Sequence, residues 1–145
     1  KEFPHWPKLI ELLNNDGYVV IQIGVTGEEP IPGVKGFLVD LRFAEIKNLI
    51  NDAATWISCD SWLPHFCHAE KLKAGIVLFG PSDPRIFGHA KNINLLRGRD
   101  FLRPHQFQTW EEWNHDPQSF VWAENIMPHV YKLAPMPLTR RLALV

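Results

Sequence analysis

Short, unbroken apolar runs separated by amphipathic stretches constrain this chain more than any other feature in it. "YVVIQIG" (18–24), "TWISC" (55–59) and "GIVLFG" (75–80) are runs with no polar alternation, and "GFLVD" (36–40) and "NINLL" (92–96) are shorter versions. Such runs mark strands buried on both faces, as in a parallel sheet. Between them lie segments with helical spacing. "PHWPKLIELLNNDGY" has Pro7 for a first turn, Leu9, Leu12 and Leu13 on one side, and a stop at Asn15 to Gly17. "FAEIKNLIND" repeats the pattern with Phe43, Ile46, Leu49 and Ile50, and "LPHFCHAEKL" predicts a short helix. A last helix is expected over Ala123 to Lys132, interrupted by Pro128. Strands alternating with helices predict βαβ units and an α/β, Rossmann-like three-layer domain with a mostly parallel sheet. Its 145 residues fit one domain, here read as 1–132, with 133–145 as a C-terminal tail.

Right-handed crossovers bring the loops that follow parallel strands to one edge, where open α/β sheets bind ligands. Three loops therefore matter: "GVTGEEPIPG", "DSWLPH" and "GPSDPRIFG". In the first, Glu28 or Glu29 stands near a strand end, where a carboxylate can grip the vicinal hydroxyls of a ribose; a mobile acidic loop is the plainer alternative. In the second, Ser61 is a good N-cap and Pro64 falls in the first turn. The amides of Trp62 and Leu63, with the positive end of the helix dipole, then form an anion site. Asp60 would repel a phosphate but can accept from sugar hydroxyls or brace the loop, and His65 on the first turn is placed for a ligand. In the third, Gly80 and Pro81 make a tight exit from the strand, and Ser82 and Asp83 offer side-chain hydrogen bonds.

Several function classes lose support. A net charge of −1 gives no bulk attraction for nucleic acid, and the arginines of "RGRDFLR" read as a solvated loop. There is no GxGxxG and no P-loop. Cys59, Cys67, His65 and His68 are metal-ligand types crowded into ten residues, but no CxxC or HExxH accompanies them, so no metal is expected. Cys67 and His68 read instead as packing against the sheet. Two cysteines in apolar surroundings point to reduced, buried thiols and a cytoplasmic setting. No apolar run approaches the roughly 18 residues of a membrane span.

Together, "DSWLPH", the strand and loop "GIVLFGPSDPRIFG", and the opening "KEFPHWPKLIELL" resemble the family 9 glycosyltransferases, the heptosyltransferase-like family, over roughly residues 1 to 96. That family has a D-[ST]-G-x-x-H helix start, then F/Y-G-P-[ST]-x-P, and an early K-x-W-P. The resemblance implies the C-terminal, donor-binding half of a GT-B architecture, with a nucleotide-diphospho-sugar (ADP-heptose in the best-known members) as donor and no cofactor. It implies that Lys1 contacts the donor phosphates, Glu28 or Glu29 the ribose, Asp60 the sugar, and the Ser61 and Trp62 amides the diphosphate, with His65, Gly80 and Ser82 along the same cleft. It also implies a preceding acceptor-binding domain or partner chain that carries the general base, so that these residues alone would not transfer a sugar. The family has glycine where this chain has Trp62. A non-catalytic α/β interaction module, motivated by Trp62, Trp110, Trp113 and Trp122, is the alternative from another class, and a metalloprotein built on His65 and His68 is a third.

Overall fold

The computed structural model describes residues 3–107, 116–135 and 141–145. The strands are β1 (Tyr18–Gly24), β2 (Gly36–Val39), β3 (Thr55–Cys59), β4 (Ile76–Phe79), β5 (Ile93–Leu96) and β6 (Arg141–Leu144). The helices are α1 (Trp6–Asn15), α2 (Phe43–Asp52), α3 (Trp62–Ala69), the single turn α4 (Pro84–Phe87) and α5 (Ala123–Leu133). All strands run parallel in one sheet of order β2-β1-β6-β3-β4-β5. The domain is therefore the α/β, Rossmann-like three-layer fold that the alternating runs predict.

Strand parity sorts the core. Tyr18, Val20, Ile57, Cys59, Ile76, Leu78 and Ala143 pack with Leu9, Ile10 and Leu13 of α1 and Ile126, Met127 and Val130 of α5. Their sequence neighbours Trp56, Val77, Phe79 and Leu144 face the other way, onto Ile46 and Ile50 of α2 and Leu63 and Cys67 of α3. Each run is apolar throughout because both faces of its strand are covered.

The end of the chain is corrected by the structure. Residues 133–145, read from sequence as a tail, include β6, which lies between β1 and β3. Ala143 is opposite Val20 on one side and Thr55 on the other, and Leu144 is opposite Ile21 and Trp56. Ala143 and Leu144 are buried. The small alanine faces α1 and α5 where they close over the middle of the sheet.

Pro128 does not interrupt the last helix, which runs through it to Leu133. A proline leaves the carbonyl four residues earlier without its helical donor. Here that residue is Glu124, on the exposed side where water can bond to it. Among the described residues no helix is long and apolar enough to cross a membrane.

The two connections that frame the sheet centre leave on opposite faces. The β1–β2 loop passes over the α1 side: Ile31 and Val34 pack on that core, and the Asn14 side chain donates to the Gly33 carbonyl at 2.8 Å. Gly33 has φ +96°, a backbone that favours glycine, and an added Cβ would meet Ile10 Cγ2 at 3.0 Å. The β3–β4 connection, through α3, crosses the other face. Connections diverging in this way leave a crevice above the carboxyl ends of the strands.

Candidate functional site

A cleft of about 610 Å3 occupies that crevice, within the range of about 300–1,000 Å3 typical of small-ligand sites. Its floor comes from Gln22, Ile23, Ile57, Ser58, Cys59 and Val145 at the ends of β1, β3 and β6. One wall is the loop carrying Glu28, Glu29 and Ile31, with Trp6 beside it; the other is the start of α3, Ser61 to Leu63.

The acidic wall is held by a residue the sequence reading passed over. Gln22 is the one polar side chain in "YVVIQIG" and is buried. Its Oε1 accepts from the Ile31 amide at 2.7 Å, and its Nε2 donates to the Glu29 carbonyl at 3.3 Å. A lone glutamine inside a buried apolar run is the signal that would have found it, because a buried amide must bond to something. Glu28 braces its own turn, with Oε2 accepting from the Val25 amide at 3.1 Å. Behind it, Asp40 at the end of β2 accepts from the Thr26 amide at 3.0 Å and from the Thr26 hydroxyl. These two bonds hold the Asp40 carboxyl below its ordinary pKa. Glu29 is the other exposed acid that lines the cleft.

We expect Gln22→Leu to lower stability by about 1–3 kcal/mol, because it leaves the Ile31 N–H and the Glu29 carbonyl without their partner. Chemical denaturation would measure this. An unchanged midpoint would show that the loop holds itself.

The opposite wall begins where sequence placed it. Ser61 is the N-cap of α3, but its side chain makes no capping bond. Pro64, in the first turn, has no N–H to offer. The hydroxyl of Ser61 and the positive end of an eight-residue helix therefore meet at the cleft. Glu28 and Glu29 are the charged side chains among the described lining residues.

Glu28, Glu29, Ser61 and Trp62 line one cleft, and the expected residues Asp60, His65, Gly80 and Ser82 are not among its lining. Asp60 is 6% exposed and is not among the residues that line the cleft, although its neighbours Cys59 and Ser61 are. His65 turns away from the cleft: its Nδ1 shares a 2.8 Å hydrogen bond with His89 Nε2. His68, expected to pack on the sheet, is exposed and stacks on the same His89 ring with centroids 4.0 Å apart. Burial, then the charges of His68 and His65, lower the His89 pKa. Lys1 lies outside the described residues, as do Trp110 and Trp113.

Gly80 and Ser82 belong to a separate braced corner at the end of β4. Asp83 caps α4 by accepting from the Arg85 amide at 2.9 Å, and Arg99 donates to both its oxygens at 2.7 and 3.3 Å. The Arg99 bond is the main reason the Asp83 carboxyl titrates below its ordinary value, with burial opposing it. Gln106 accepts from the Asp83 amide at 2.7 Å and donates to the Arg103 carbonyl at 2.8 Å. Arg97 reaches over the Phe101 and Trp122 rings, 5.1 Å from each centroid. Of the arginines of "RGRDFLR", expected to be solvated, Arg97 and Arg99 are exposed as expected while bonding to neighbouring loops, and Arg103 is buried. A Cβ at Gly80 would lie 2.9 Å from both Ser119 Oγ and Phe120 Cζ, so those side chains would have to shift to admit one.

Both cysteines are buried free thiols. Burial pushes Cys67 up to about 11, with Lys91 acting against it, so little of it is thiolate at neutral pH. Among the described residues no group of three or more His, Cys, Asp or Glu side chains is arranged to hold a metal ion. No family model, curated protein or solved structure matches the chain.

Proposed function

We propose that the cleft binds a nucleotide-diphospho-sugar, as the donor-binding half of a heptosyltransferase-like glycosyltransferase. The observation that carries this reading is the meeting, above the β1 and β3 strand ends, of the Glu28–Glu29 loop and the start of α3. Carboxylates suit vicinal hydroxyls, and an uncapped helix start suits a diphosphate, so the two walls suit adjoining parts of one ligand. Because the described lining carries acids and no lysine or arginine, the phosphates belong at Ser61 to Leu63 and the ribose against Glu29. Neutralisation of the leaving diphosphate would come from amides and the helix dipole, without a metal. The acceptor and its general base would come from another lobe or chain.

Glu29→Gln distinguishes gripping from mere repulsion by its sign. If Glu29 binds the ribose, losing a charge-assisted bond of about 1.5–3 kcal/mol weakens nucleoside diphosphate binding by roughly 10-fold or more. Calorimetry with ADP, UDP and GDP would measure it. Tighter binding by the variant would mean that Glu29 only repels the anion, and absence of binding by the unmodified, folded chain at millimolar ligand would end the donor reading.

A second reading has its own support. Val25, Val39, Phe43 and Trp62 are exposed at the same edge of the sheet, and exposed apolar groups gathered at one edge fit an interaction module. Self-association in sedimentation, without nucleotide binding, would favour it.

A further inference from the structure

Trp62 opens α3 and lines the cleft while remaining 49% exposed. Its ring is nevertheless held. Phe43 meets it edge-on with centroids 5.9 Å apart, and Phe66 lies tilted against it at 5.9 Å. Phe43 and Phe66 stack on each other at 5.1 Å. An indole fixed by two aromatic neighbours and still half open to a cleft offers a preformed flat surface.

The rest of the cleft decides what lies on that surface. An anionic group at the start of α3 and hydroxyls at Glu29 describe a sugar phosphate equally well. A planar ring on Trp62 adds the part that only a nucleotide has. We propose that Trp62 is the base-stacking residue of the cleft, so that the nucleobase lies on the indole and the transferred sugar extends away from it. This rests on the donor-binding reading and names which end of the donor the aromatic wall takes. Stacking tolerates any base, because every base has a π-face, so selectivity among bases would be slight and dependence on having a base would be large.

Calorimetric titration of the full chain, of Trp62→Phe and of Trp62→Ala with ADP, UDP and the base-free probe ribose 5-phosphate tests this, with circular dichroism confirming that each is folded. Trp62→Ala is expected to weaken ADP and UDP by about 5- to 150-fold, to leave ribose 5-phosphate unchanged, and to be largely rescued in Trp62→Phe. Equal ADP affinity in Trp62→Ala and the unmodified chain would overturn the stacking role and leave the donor reading standing. An equal loss for ribose 5-phosphate would also overturn it, as damage to the helix start. No nucleotide binding by the unmodified chain would remove both readings. Loss of self-association in Trp62→Ala, with nucleotide affinity intact, would make the aromatic wall a protein contact instead.

Discussion

Removing residues 141–145 is expected to abolish cooperative folding. β6 is the only described strand joining β2-β1 to β3-β4-β5, so the truncated sheet would fall into two pieces. The amides and carbonyls of β1 and β3 that now pair with β6 would face an interior gap, and each buried group left unpaired costs about 1–3 kcal/mol. Ala143 and Leu144 also join the two helical layers to the sheet. With total stability near 5–15 kcal/mol for a domain of this kind, that loss leaves nothing folded. Ala143→Asp should act in the same direction, since it buries a charge among the apolar side chains of α1 and α5. Thermal melting by circular dichroism gives the readout. A truncated chain with a cooperative transition within a few degrees of the full chain would show that β6 is dispensable.

Trp56→Ala should produce the second largest loss, about 3–5 kcal/mol. Trp56 is fully buried, and its Nε1–H donates to the Lys73 carbonyl at 3.0 Å. Its ring lies directly over Gly75, where an added Cβ would come within 2.2 Å of Cδ2 and Cε2. Gly75 is therefore glycine for space, and Gly75→Ala must push the indole or the start of β4 aside. The two effects are coupled. In a Trp56→Phe background the smaller ring leaves room, so Gly75→Ala should be less harmful there than in the unmodified chain. Denaturant unfolding of the singles and the double would read this as a non-additive pair. Strict additivity would mean that the contact does not limit the core.

Much of this architecture was legible because a parallel strand covered on both faces leaves a signal within a few residues. "YVVIQIG", "TWISC" and "GIVLFG" became β1, β3 and β4 almost residue for residue. β6 left no such signal. Four residues following the prolines at 135 and 137 are too short for a period, and their place at the sheet centre comes from long-range pairing. At the site, Glu28, Glu29, Ser61 and Trp62 were legible because each follows a strand that reaches the same edge. His65 was not, because helical spacing shows which residues share a face but not what stands beside that face. Its partner, His89, is 24 residues away. Arg99 finds Asp83 across a similar gap of 16 residues. Gln22 was overlooked because an apolar run invites counting its apolar members.

The most direct test of the donor-binding account is amide-resolved NMR of the folded 145-residue chain titrated with ADP, UDP and GDP. The account predicts saturable shifts at the Ser61, Trp62 and Leu63 amides and at the Glu28–Glu29 loop, with none at Gly80–Ser82 or the His65–His89 pair. No shifts at millimolar nucleotide, or shifts confined to the Gly80–Ser82 corner, would contradict it.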